Sequence, residues 1–203
     1  MIRVVLASGN AGKLGEFADM LTDAGIELVP QSDFAVSPPP EAAVTFVENA
    51  LAKARHAAGE TGIAAIADDS GLEVDALGGA PGVHSARFAG AHGGDRENTA
   101  RVLGELDGVP AEERTARYRA VLVYLRAPDD PAPIVAEGTW EGRIAATPRG
   151  DGGFGYDPLF ELADGRTAAE LPAEEKNLLS HRGKALAELR RRLDAQRDRS
   201  GEN

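Results

Sequence analysis

Cysteine is absent from the 203-residue chain, which excludes a disulfide framework, a thiol nucleophile and a thiolate zinc site. No apolar run of membrane-spanning length and no signal-peptide pattern occurs, so a cytoplasmic protein with no membrane partner is expected. Positive charge is also scarce. The 22 basic residues against 33 acidic ones leave a net charge of −11, which argues against a nucleic-acid polymer as partner. An anionic ligand must then be small and met by local positive charge. There is no His pair at HExxH spacing, no GxSxG elbow and no Walker loop. Neither a Ser/Gly linker nor an internal repeat divides the chain, and its length fits one domain over residues 1–197 with a polar tail, 198–203. Lysine occurs four times only, at Lys13, Lys53, Lys176 and Lys184, while every other basic residue is arginine. In such a chain a lysine marks a place suited to a compact, flexible ammonium.

What is present reads as alternating strands and helices. Ile2–Ala7 and Ile26–Pro30 are strand-like, with a helix from about Gly12 to Ala24 between them and a Pro-rich loop through Pro38-Pro39-Pro40 after them. A second helix runs from about Val44 to Ala58, and Ile63–Ala67 reads as a strand that stops at Asp68-Asp69-Ser70-Gly71. A glycine-rich loop, Gly78 to Gly94, leads to a helix near Asp95–Leu106, and Arg117–Arg126 and Ile134–Ile144 read as a hairpin of long strands. A last helix carries Leu186, Leu189 and Leu193 on one face, with a frayed tail after Arg197. The expected class is α/β: an elongated mixed sheet flanked by helices, in two lobes with a central cleft.

Four segments bear chemistry. In ASGNAGKLGEF, only Asn10 and Ala11 separate Gly9 from Gly12-Lys13, so the turn is either an anion cradle at a helix start or a plain Asn-capped helix. Asp68 and Asp69 stand where a buried strand meets a turn. One of them faces a site, as metal ligand or water-orienting base, or both cap the turn; adjacent strand residues point to opposite faces unless the strand breaks. Thr45, Asn49 and Lys53 share one helix face, where Lys53 either reaches a phosphate or is a surface lysine. In GDGGFGYDPLF, Phe154 and Tyr156 either grip a flat base by stacking or anchor a mobile loop.

Taken in order, SGNAGK, TFVENALAKA, ADDSGLEVDALGGAPGVHSARFAG, GGFGYDPLF and SHRGKAL resemble the inosine triphosphate pyrophosphatase (Ham1-like) family, from about Ile2 to Leu193. The resemblance implies Mg²⁺-dependent hydrolysis of ITP, dITP and XTP to the monophosphate and pyrophosphate by a homodimer. It makes Ser8, Gly9, Asn10, Ala11, Gly12 and Lys13 the triphosphate turn, joined by Lys53. Asp69 becomes general base and metal ligand, with Asp68 and Glu41 as further metal ligands and Ser70 touching substrate. Phe154, Gly155, Tyr156 and Asp157 hold base and ribose, and Lys176, His181 and Arg182 complete the base pocket. Two other readings are a nucleotide-binding regulatory module without turnover and a Maf-like pyrophosphatase of modified pyrimidine nucleotides. The homodimer would also cover apolar surface expected on the two long strands and the loop at Gly78–Phe88.

Overall fold

The computed structural model describes residues 2–8, 17, 21, 25–90 and 93–200, with side chains through 198. The apolar runs β1 (Ile2–Ala7) and β2 (Ile26–Pro30) pair in parallel, Ile2 opposite Ile26 and Leu6 opposite Pro30. On its other side β1 pairs in parallel with β3 (Ala64–Val74), Val4 opposite Ala64 and Ala7 opposite Ala67. β2 and β3 flank β1 as parallel strands, so the chain must cross over between them, and α1 (Phe46–Thr61) makes that connection, packing on β1. Its buried face is Phe46, Asn49, Ala50, Ala54, Ala57 and Ala58, mostly methyl groups that let helix and sheet approach closely. A large residue at those alanines would overpack the interface at a cost of roughly 1–3 kcal/mol. The Thr45 hydroxyl accepts the Glu48 N–H to start α1, and Gly62, at φ 71°, turns its own N–H onto the Ala58 carbonyl to end it.

β4 (Thr115–Leu125) and β5 (Ile134–Ile144) are neighbours in the sheet, and β6 (Phe160–Glu161) runs antiparallel to β5. The strand order β2-β1-β3-β4-β5-β6, parallel at one end and antiparallel at the other, makes a mixed α/β sheet as the sequence predicts. The remaining helices are α2 (Asp95–Glu105), α3 (Ala173–Leu179) and α4 (His181–Ser200).

The chain divides into two compact units: residues 1–69, 120–138 and 184–203, and residues 70–119 and 139–183. The first has a core of aliphatic side chains from β1, β3, β4, β5 and α4, with Phe17 and Leu21 among them. The core of the second is aromatic, built on Tyr118, Trp140, Tyr156 and Phe160 with Leu72, Val102, Leu106 and Leu159. The divide passes through β3 between Asp69 and Ser70, consecutive residues of one strand.

Four expectations need correction. β3 does not stop at Asp68 but continues to Val74, because its acidic residues find partners inside the fold and Leu72 N–H bonds to the Ser85 hydroxyl at 2.9 Å. The C-terminal helical region is two helices, α3 and α4, with Lys176 on the first. The α4 backbone continues past Arg197 to Ser200. The long strands bury most of their apolar surface within the fold: Ala116, Tyr118 and the whole of Ala120–Leu125 are buried, as are Ile134, Ala136, Trp140 and Ile144, with Val135 partly buried.

Candidate functional site

In the first unit the functional side chains meet around Asp69. The parallel register sets Ala7 beside Ala67, so Ser8 leaves the sheet where β3 runs on into Asp68 and Asp69, at the carboxyl ends of parallel strands where α/β sheets hold ligands. Since β3 is unbroken, the two carboxylates point to opposite faces, and both are buried. Asp69 faces α1: its Oδ1 accepts from Lys53 Nζ at 2.7 Å and its Oδ2 from Asn49 Nδ2 at 3.2 Å. The helical repeat of four that puts Asn49 and Lys53 on one face thus delivers both to one carboxylate. Lys53 Nζ is also in ion-pair contact with Glu41 Oε1. Glu41 is carried by the segment before α1, which is tied to that helix by Ala43 N–H on Asn49 Oδ1 at 3.2 Å and by His56 Nε2 against the Ser37 carbonyl at 2.9 Å.

One ammonium here serves two carboxylates. Burial raises the Asp69 pKa, Lys53 works against that, and the Glu41 charge adds to it; the net shift is upward. For Lys53, burial disfavours the ammonium, but Asp69 and Glu41 together outweigh it and raise its pKa. A single ammonium thus stands between two acids, and it offsets only part of the burial that raises the Asp69 pKa. Glu41 and Asp69 offer hard oxygen donors of the kind Mg²⁺ takes, one or two carboxylates with water and phosphate oxygens completing the shell. Among the described residues no three His, Cys, Asp or Glu side chains form a metal site by themselves. The donor set therefore fits a divalent ion shared with a phosphorylated ligand.

The second unit groups Ser70, Phe154, Asp157, Lys176, His181 and Arg182. Asp157 is the hub: its Oδ2 accepts from Lys176 Nζ at 2.6 Å and from Phe154 N–H at 2.9 Å, and its Oδ1 from the Tyr118 hydroxyl at 3.2 Å. Gly153 makes the turn possible, since at φ 72° a Cβ there would be strained and would collide with the Asp157 carboxylate. The half-exposed Phe154 ring has Lys176 Nζ 5.1 Å and the Arg182 guanidinium 5.6 Å from its centroid. Arg182 Nη2 donates to Ser70 Oγ at 3.2 Å. Between α3 and α4, the Ser180 hydroxyl accepts the Gly183 N–H at 3.1 Å, and a side chain at 183 would collide with the Asn177 carbonyl. That tight junction sets Lys176, His181 and Arg182 in one neighbourhood from two helices.

One sequence expectation changes here. Tyr156 is buried, with its hydroxyl donated to the Ser85 carbonyl at 2.7 Å, so it anchors the loop and does not display its ring. Asp157 is tied within the fold to Lys176, the Phe154 N–H and Tyr118. Gly155 N–H is taken by Asp95 Oδ2 at 2.7 Å, pinning the loop to the first turn of α2. Gly9, Asn10, Ala11, Gly12 and Lys13 lie outside the described residues. Sequence reasoning placed Asn49 on the face of Lys53 without giving it a role, and missed Tyr118 and Asp95 as site builders. Asn49 was within reach, four residues before Lys53 on one face; Tyr118 carries no local signal, since its role depends on partners 39 and 63 residues further along the chain.

A profile of the Ham1 family matches residues 4–192. The dITP/XTP pyrophosphatase of Thioalkalivibrio sulfidiphilus is 54% identical over 193 residues, covering 95% of this chain and 98% of that protein. The dITP/XTP pyrophosphatase of Vibrio parahaemolyticus is 55% identical over 197 residues, 97% of this chain and 98% of that protein. Among solved structures, a HAM1 protein from Coxiella burnetii superposes with a TM-score of 0.90 at 47% identity, over 96% of this chain and 100% of the other. A nucleoside-triphosphatase / dITP/XTP pyrophosphatase from Mycobacterium abscessus gives 0.76 at 46% identity, over 93% and 97%. With fold, segment order and length in agreement, the chain belongs to the Ham1 family.

Proposed function

We propose that the chain hydrolyses deaminated purine nucleoside triphosphates, dITP, ITP and XTP, to the monophosphate and pyrophosphate, clearing them from the cytoplasmic nucleotide pool. The observation that carries this reading is identity above one half, along nearly the whole chain, with dITP/XTP pyrophosphatases. The regulatory-module and Maf-like readings gain nothing from those relatives.

The chemistry follows from the charge cluster of the first unit. Water attacks the α-phosphorus; its oxygen forms the new P–O bond, its proton passes to Asp69, and the bond to the bridging oxygen breaks with pyrophosphate taking the electron pair. Burial and the Glu41 charge make Asp69 a stronger base than an exposed carboxylate, which suits that task. Lys53 neutralises phosphate charge that would otherwise repel the nucleophile, together with Ser8 and the turn through Lys13. Glu41 and Asp69 would hold Mg²⁺, which when bound would withdraw charge from the phosphate oxygens, whereas Asp68, expected as a further ligand, points to the other face of the unbroken β3. In the second unit Phe154 stacks on the base, while Lys176, His181 and Arg182 supply donors for the 6-keto oxygen; an adenine amino group would leave those donors unpaired. A homodimer is the assembly we propose, to be checked by light scattering at micromolar concentration. The activity is tested by pyrophosphate release from ITP, dITP, XTP and ATP with Mg²⁺ and with chelator. Hydrolysis of the keto purines that needs the metal, with ATP poorly used, is expected; equal use of ATP would overturn the assignment.

A further inference from the structure

Tyr118, on β4, touches two members of the group assigned to the base, Asp157 and His181. Its hydroxyl donates to Asp157 Oδ1 at 3.2 Å, and the other oxygen of that carboxylate holds Lys176 Nζ and the Phe154 N–H. Its ring lies under the His181 imidazole, centroids 4.6 Å apart and planes 11° from parallel. From below, Phe160 packs on Tyr118 at 4.6 Å and Trp140 at 6.5 Å, so the tyrosine is held rigidly in the aromatic core. Burial, and next the Asp157 carboxylate, push the phenol pKa well above its ordinary value, which keeps the hydroxyl a donor at every working pH.

We propose that Tyr118 is the positioning residue of base selection: its hydroxyl orients the Asp157–Lys176 pair and its ring sets the plane of His181. The proposal rests on the assignment of Phe154, Lys176 and His181 to the base. Lys176 Nζ is a three-donor head on a flexible stem, and only a carboxylate whose own rotation is fixed will aim it consistently. Asp157 is fixed at Oδ2 by the loop and at Oδ1 by Tyr118. Loss of the Tyr118 bond would loosen the donor aimed at a keto oxygen, a defect felt by 6-keto purines and hardly by adenine, which offers no acceptor there.

The test uses wild type, Tyr118→Phe, Lys176→Ala and the double variant, with kcat and KM for ITP and ATP and a melting curve for each. Tyr118→Phe keeps the ring and its stack. It is expected to raise KM for ITP about five- to tenfold, leave kcat within about twofold, and lower the ITP-to-ATP ratio of kcat/KM by the same factor. In the Lys176→Ala background the tyrosine substitution should change that ratio no further. An unchanged ratio in Tyr118→Phe, with or without a lower melting temperature, overturns the proposal, as does a full effect that persists without Lys176. If Lys176→Ala lowers the ratio while Tyr118→Phe does not, only the role of Tyr118 falls. If Lys176→Ala leaves the ratio intact, the base assignment falls and the proposal with it. Should Tyr118→Phe fail to fold, Asp157→Asn weakens the same bonds at constant shape and must lower the ratio for the proposal to stand.

Discussion

Lys53 in the first unit and Lys176 in the second both sit against an aspartate, at 2.7 and 2.6 Å, and both are largely buried. What surrounds the two pairs differs. Asp69 shares its lysine with a second carboxylate, Glu41, whose side chain is 30% exposed, so one ammonium is divided between two acids. Asp157 instead gathers three donors, Lys176, the Phe154 N–H and the Tyr118 hydroxyl. A buried carboxylate that shares its ammonium with another acid is suited to taking up a proton; one that gathers three donors of its own is suited to holding other groups still. The first cluster is therefore read as the seat of the chemistry and the second as a template for the base, and the difference can be broken by substitution.

The largest effect is expected at Asp69. Asp69→Asn preserves shape and the bond from Lys53 but cannot take the proton of water, so kcat should fall by about 10²–10⁴-fold. Binding of ITP, followed by calorimetry, should stay near wild type, because the base-holding groups belong to the other cluster. Near-normal turnover would remove Asp69 from the proton transfer. The equivalent change in the template has the opposite signature. Phe154→Ala removes stacking worth roughly 1–3 kcal/mol per base, so KM should rise about tenfold or more for ITP, XTP and GTP alike with their ratios nearly unchanged. Arg182→Ala should instead erode the preference for ITP over ATP, about tenfold for each 1.4 kcal/mol lost. Steady-state constants for the four nucleotides on both variants separate the two roles. Should Arg182→Ala lower all four equally, Arg182 is a phosphate or structural residue.

Much of this was legible in the chain. The bounds of β1, β2 and β5 follow from their apolar runs, and the partnership of Lys53 with Asn49 from helical spacing. The segment Asp68-Asp69-Ser70-Gly71 misleads because its composition is that of a turn, while its conformation is decided by distant partners: Lys53 and Asn49 stabilise Asp69 inside a strand that local propensity would have ended. Phe154 and Tyr156 look alike two residues apart in a glycine-rich loop. Only the fold shows that one hydroxyl reaches Ser85, 71 residues away in sequence, and that the other ring stays at the surface.

The smallest expected effect is a stability change that leaves both clusters alone. Asp130, in the connection between β4 and β5, accepts from Arg126 Nη2 at 2.7 Å and Nε at 2.8 Å, and from the N–H groups of Arg126 and Ala132 at 3.0 Å each. The Arg126 hydrogen bonds outweigh the burial that opposes them, and with the two backbone N–H groups hold its carboxyl well below the usual range. A carboxyl whose pKa is depressed by folding stabilises the native state above the unfolded-chain value, about 3.9, and loses that contribution as pH falls below it. Because Arg126 is more than half exposed, the ion pair itself is screened, and the backbone bonds dominate. Asp130→Asn should therefore cost about 1 kcal/mol near neutral pH, a few degrees of melting temperature, and the deficit should begin to shrink between pH 5 and pH 3, as the Asp130 carboxyl of the unfolded chain takes up a proton while that of the folded chain stays ionised. Melting curves across that range, with kcat and KM for ITP at neutral pH, check both halves. Asp130 lies in the same unit as Asp69, so unchanged kinetics beside a lowered melting temperature means that the behaviour of Asp69 is set by its immediate partners, Lys53, Asn49 and Glu41. A fall in kcat that tracks the lost stability would mean instead that the integrity of the whole unit tunes the carboxylate, and the contrast between the two lysine–aspartate pairs would then be a property of the units rather than of their local surroundings.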